Sequence, residues 1–154
     1  MSSVQLFEAM LAAQGHDGAG DTSPPNVQWV TVLFSDLQGS TVWYEIIGDA
    51  AAYRLVQRHL TLVRSCIVAF QGSLVKTLGD GIMAVFHRPE AAIQAAVAAH
   101  KRTATFNHTW DVDPPLSVKI GLHYGPVIAH YGSHQVDYFG RTVNIAAHGK
   151  DESL

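Results

Sequence analysis

A single cysteine, Cys66, leaves this 154-residue chain with no internal disulfide and no thiolate set for zinc. Charge is also scarce: Asp, Glu, Lys and Arg make up 15% of the residues, and the formal net charge is −3. A chain without a basic footprint is not expected to take nucleic acid as a partner. So few charges also mean that much of the surface is uncharged or covered by a partner. No apolar run is long enough to span a bilayer, and the N-terminus lacks the basic and then strongly apolar pattern of a secretory signal. These absences predict a reducing, cytoplasmic setting and no membrane segment in the chain. The hydrophobic content of 47% is ample for one folded domain with a core.

Two acidic turns stand out among the residues that are present. Phe34-Ser35-Asp36 follows the β-forming run Trp29 to Phe34, and Leu78-Gly79-Asp80-Gly81 follows Ser73 to Leu78. Asp is depleted within strands, so a carboxylate at each strand end either satisfies local turn donors or has an electrostatic task. Two converging carboxylates suit a hard divalent cation such as Mg²⁺, which prefers a few carboxylates plus substrate phosphates.

The remaining pattern predicts an order of elements. Val4 to Ala13 reads as a short helix and Gln14 to Asn26 as a flexible linker rich in Gly, Asp, Ser and Pro. Residues 1–26 therefore form an N-terminal segment, and 27–154 form the domain proper. After the first strand, Gly39-Ser40-Thr41 opens a helical region, and Asp49 is a candidate N-cap for apolar residues at helical spacing from Leu55 to Phe70. Strands over Ser73 to Leu78 and Ile82 to Phe86 flank the Gly79-Asp80-Gly81 turn as a hairpin. Pro89 to Phe106 reads as a helix with Pro in its first turn. Leu116 to His123 is the next expected strand, broken by Gly125-Pro126, with Val127 to Tyr131 as its hairpin partner. Thr142 to Ala147 begins a last helix. The order βαββαβ is the ferredoxin-like arrangement of an α/β (α+β) domain.

Four stretches in order carry a resemblance: Val32 to Thr41, Val75 to Gly81, Val118 to Gly125 and Asp137 to Ala147. Together they resemble the class III nucleotidyl cyclases, which make cyclic AMP or cyclic GMP, with a Gly-Ser-Thr after the first Asp as in bacterial members. The resemblance covers about Val30 to Ala147. It implies that the C-terminal elements of the family's fold are missing from this chain.

What the resemblance implies for single residues follows its motifs. Asp36 and Asp80 would hold two Mg²⁺ or Mn²⁺ ions, with the backbone carbonyl of Leu37 completing one shell. Lys76 and Asp137 match the base-reading positions, where Lys donates to adenine N1 and Asp accepts from the N6 amine. Guanylyl cyclases tend to show Glu and Cys there, so the pair points to ATP. Lys119 stands where many relatives place a triphosphate-binding Arg, and lacks its bidentate fork. Asn144 matches the amide that orients the ribose. His148 falls where the family places an Arg that neutralises charge on the phosphates, and a neutral His replaces it poorly; a local shift would let Lys150 serve instead. The implied assembly is a homodimer with shared sites: Asp36, Asp80 and Lys119 from one protomer, Lys76, Asp137, Asn144 and His148 from the other. The leading expectation is an adenylyl cyclase. The alternatives are a degenerate, nucleotide-binding or dimerising regulatory module, and a guanylyl cyclase. Cys66 is expected to be a small core residue, and the nine histidines show no zinc-ligand spacing.

Overall fold

In the computed structural model, residues 25–150 are described, together with residue 5. Apart from residue 5, which is helical, the helix expected over Val4 to Ala13 and nearly all of the expected linker lie outside the described residues. Five strands and four helices follow: β1 (Asn26–Gln38), α1 (Ser40–Ile47), α2 (Asp49–Ala69), β2 (Ser73–Leu78), β3 (Gly81–Phe86), α3 (Pro89–Thr109), β4 (Ser117–Tyr131), β5 (Val136–Phe139) and α4 (Arg141–Gly149). The strands form one sheet in the order β2-β3-β1-β4-β5, antiparallel at every pairing. Its first four strands are the βαββαβ core expected from the sequence.

Strand β1 is central and covered on both faces, so Val30 through Ser35 are all buried. Alternation along the strand then divides its side chains between two cores. Leu33 and Leu37 join Phe86, Ile82, Leu60, Val63 and Ile67 beneath α2 and α3. Val30, Val32 and Phe34 join Met83, Val85 and Val127 beneath Ala146 of α4. Burying a large side chain fully, as for Phe86, stabilises the fold by roughly 1.5–3 kcal/mol.

Helix α4 lies against the sheet because β4 has glycine where the backbones meet. A Cβ on Gly121 would stand 2.2 Å from the Ala146 carbonyl oxygen and 2.4 Å from the Lys150 nitrogen, and one on Gly125 2.5 Å from Thr142 Oγ1. At Gly121 only glycine allows such approach without moving backbone, whereas at Gly125 a Cβ would displace the Thr142 side chain.

The sequence pattern mispredicts one connection. Gly125-Pro126 does not break β4, which runs unbroken to Tyr131. Pro126 pairs with Trp29, and its carbonyl accepts the Thr142 hydroxyl at 2.7 Å on the side away from β1. A strand residue directs its nitrogen and its carbonyl to the same side, so the missing N–H removes no bond to β1. The partner on the other side, β5, pairs only from Ile128 onward. The N-cap of α2 also differs: Gly48 holds that position, and Asp49 is the first helical residue, where its charge favours the helix dipole.

Candidate active site

The two acidic turns meet because the start of β3 presses on the end of β1. A Cβ on Gly81 would stand 2.2 Å from the Ser35 carbonyl oxygen, and the Ile82 N–H donates to Ser35 Oγ at 3.1 Å. Residues 82 and 35 are also ladder partners. Since Asp36 follows Ser35 and Asp80 precedes Gly81, the close approach brings the two carboxyls within hydrogen-bonding reach of each other. The Ser40 hydroxyl, in the first turn of α1, donates to Asp80 Oδ2 at 3.0 Å, and the Leu37 N–H donates to Asp36 Oδ1 at 3.0 Å.

Burial, and next the Asp80 carboxyl beside it, push the Asp36 pKa above the ordinary carboxylate value; the Lys150 ammonium and the Leu37 N–H pull it back. Two carboxylates held together in this way repel each other when both are ionised. Among the described residues no group of three or more His, Cys, Asp or Glu side chains gathers, so the pair is not a closed protein cage. Mg²⁺ or Mn²⁺ fits two carboxylates whose remaining positions go to phosphate oxygens and water. Lys119 is the ladder partner of Asp36 and shares its sheet face.

The second constellation closes the sheet on itself. Lys76 on one outer strand and Asp137 on the other form an ion pair, Nζ to Oδ2 at 3.0 Å and to Oδ1 at 3.3 Å. Strands β2 and β5 touch, so the sheet curls over α4 and its two edges approach. Burial raises the Asp137 pKa, but the Lys76 ammonium, the Tyr138 N–H at 2.8 Å and the charge of Lys76 outweigh it and hold the carboxyl below its ordinary value.

Asn144 and His148 lie one turn apart on α4, on one face of the helix, and both are exposed. Within one chain this face looks away from the core that Ala146 and Thr142 bury. The structure thus brings Asp36 and Asp80 together, and Lys76 and Asp137 together, while Asn144 and His148 face outward. Sequence reasoning gave Ser35, Ser40 and Gly81 no part in the site, placing Ser40 at a helix start and Gly81 in a hairpin turn. A shallow concavity of about 410 Å³, lined by Leu62, Ser65, Arg102, Phe106 and Trp110, lies between α2 and α3 and includes none of these residues.

Comparison with known proteins bears on this geometry. The family model for the adenylate and guanylate cyclase catalytic domain matches residues 23–153. An uncharacterized protein of Mycobacterium tuberculosis is 34% identical over 114 residues, covering 74% of this chain and 28% of that protein. The chain spans only part of the curated relatives it matches, 28% of that protein and 8% of an adenylate cyclase of Lachancea kluyveri. Among solved structures, a bacterial light-regulated adenylyl cyclase superposes with a TM-score of 0.71 at 27% identity, covering 83% of this chain and 71% of that one. The guanylyl cyclase Cya2 superposes with a TM-score of 0.74 at 21% identity, covering 86% and 74%, a likeness of fold alone.

Proposed function

Because the chain belongs to the adenylate and guanylate cyclase catalytic domain family, we propose that it converts ATP to cyclic AMP and pyrophosphate at sites shared between two copies. The observation that carries this reading is the Asp36–Asp80 pair, two carboxylates held together, of which Asp36 binds its proton more tightly than a free carboxyl, with no closed cage of His, Cys, Asp or Glu side chains among the described residues. Divalent ions bound there would lower the pKa of the ribose 3′-hydroxyl and hold the triphosphate. The chain's own residues then position and neutralise. Asp36 and Asp80 would hold the ions, with the Leu37 carbonyl beside them. Lys119, opposite Asp36, offers charge to the triphosphate. The 3′-hydroxyl would lose its proton to solvent as its oxygen attacks the α-phosphorus, the bond to the β-phosphate oxygen would break, and pyrophosphate would depart.

Choice of base rests on Lys76 and Asp137. Locked together, they present a donor beside an acceptor, the pattern that complements adenine N1 and its N6 amine. The outward face of α4 supports a homodimer: Asn144 and His148 serve a site only where another copy meets that face, and two-fold symmetry then yields two sites. One observation favours a second reading. His148 is exposed where the family places an Arg, and loss of such a charge costs on the order of 10²–10³ in rate. A weakly active or purely regulatory domain would follow.

Cyclic nucleotide formation by the full chain with Mn²⁺, given ATP or GTP, separates these readings. Turnover of ATP that rises more steeply than protein concentration supports the proposal. Preference for GTP would overturn the base assignment, and nucleotide binding without turnover would establish the regulatory reading.

A further inference from the structure

The seat of α4 places one more residue beside the acidic pair. Along β1 the side chains of Val30, Val32 and Phe34 face α4, so by alternation Asp36 does too. On β4 the same face carries Lys119, the partner of Asp36, and Gly121, the partner of Phe34. The backbone of Lys150, immediately after α4, rests on Gly121, with its nitrogen 2.4 Å from where a Cβ would stand. Gly121 and Asp36 are thus two residues apart along the strand direction, roughly 6.6 Å by strand rise. The four-carbon stem of a lysine bridges such a step, and Asp36 feels the Lys150 charge directly.

We propose that Lys150 is a tethered cation for the Asp36–Asp80 pair of its own chain, and that it competes with the divalent ion for that pair. The proposal rests on the metal-site reading above and adds a residue that sets the site's affinity. In the metal-free protein the ammonium offsets part of the repulsion between two carboxylates held together by Gly81 and Ser35. A divalent ion entering the pair would meet a like charge on a flexible stem, which must swing aside. Lys119 shares the face but sits within the strand, whereas Lys150 follows the end of α4.

The test is Mn²⁺ binding to the full chain without nucleotide, followed by loss of the free-ion electron paramagnetic resonance signal. Lys150→Met keeps the apolar stem and removes the charge; it should bind Mn²⁺ about 3- to 30-fold more tightly than wild type, and the gap should narrow as salt rises. Lys150→Arg should restore the wild-type Kd. Equal or weaker binding by Lys150→Met, with wild type binding normally, overturns the inference and leaves the metal site standing. If neither wild type nor Lys150→Met takes Mn²⁺, the metal-site reading fails and this inference with it. A purely structural role for Lys150 would lower the melting temperature of Lys150→Met and leave the Kd unmoved, which also overturns it.

Discussion

The Asp36–Asp80 pair and the Lys76–Asp137 pair are each made of two ionisable residues on strand ends or edges, yet they are held in opposite electrostatic conditions. In the first, two like charges are pressed together and Asp36 binds its proton more tightly than a free carboxyl does. In the second, opposite charges meet at 3.0 Å and Asp137 releases its proton more readily. The difference teaches what each is built to accept. Under the proposed function, the pair that is incomplete electrostatically would draw a cation, while the one already paired would present fixed donors and acceptors for a neutral base to match.

The largest expected effect comes from neutralising the first pair. Asp36→Asn should lower metal-dependent turnover by about 10³ or more, the scale of losing a main electrostatic group, while raising metal-free stability. The sign follows from linkage: a carboxyl whose folded pKa is raised loses stability as pH rises through that pKa, so its charge destabilises the fold at neutral pH. Thermal unfolding without metal should show a melting temperature higher by about 2 °C; a lower one would mean that the pair is not strained. Gly81→Ala attacks the same pair through geometry, since its Cβ meets the Ser35 carbonyl. It should lose Mn²⁺ binding at least tenfold, and unchanged binding would detach Gly81 from the site.

Burial without a charged partner supplies the middle case. His59, buried between α2 and α3, bonds to Thr103 Oγ1 through Nε2 at 2.9 Å, while Nδ1 has no partner among the described residues. Thr103 donates to the Ala99 carbonyl, so Nε2 carries the proton. Burial lowers the His59 pKa to about 4. The unfolded chain therefore binds the extra proton from about pH 6.5 downward. Stability should fall by about 3 kcal/mol between pH 6.5 and 4, visible in urea unfolding. His59→Leu should flatten that slope; if the slope persists, its source lies elsewhere.

Smaller effects are expected at the second pair. Lys76→Glu combined with Asp137→Cys should shift the ATP-to-GTP ratio of kcat/KM by roughly 10- to 100-fold toward GTP, the value of one to two buried hydrogen bonds. An unchanged ratio would remove these residues from base reading. Smallest is the stability of the pair itself. Both side chains remain partly exposed, so solvent screens the attraction, and Lys76→Met should cost no more than about 1 kcal/mol in denaturant unfolding. The contribution from Asp137 exists above the unfolded carboxyl pKa and is lost as pH falls through the lower folded one. A loss well beyond that size would show that the bridge holds the two sheet edges together.

Much of the fold was legible before any coordinates. The apolar run ending at Asp36, the Gly79-Asp80-Gly81 turn and the Pro89 helix start each correspond to an element or a connection found in place, because hydrophobic periodicity and turn chemistry are local. Strand β4 was misread at Gly125-Pro126, since a proline's effect depends on which side its nitrogen faces, and that is set by β1 and β5 together. The four-residue β5 left no signal of its own. Within the candidate site, Asp36 and Asp80 were readable as residue types at strand ends. The helpers Ser35 and Ser40 were not, because each acts on a residue brought near by folding.

What the sequence by itself determined is the set of elements and the identity of the charged groups, since patterning and residue chemistry are properties of short stretches. Only the tertiary structure decided which charges meet. Glycines at 81 and 121 admit backbones that any side chain would keep apart, and the curl that joins β2 to β5 brings Lys76 to Asp137 across 61 residues of chain. The proton affinities of Asp36 and Asp137 diverge for the same reason: a carboxylate's pKa is set by its neighbours in space, and those are chosen by packing.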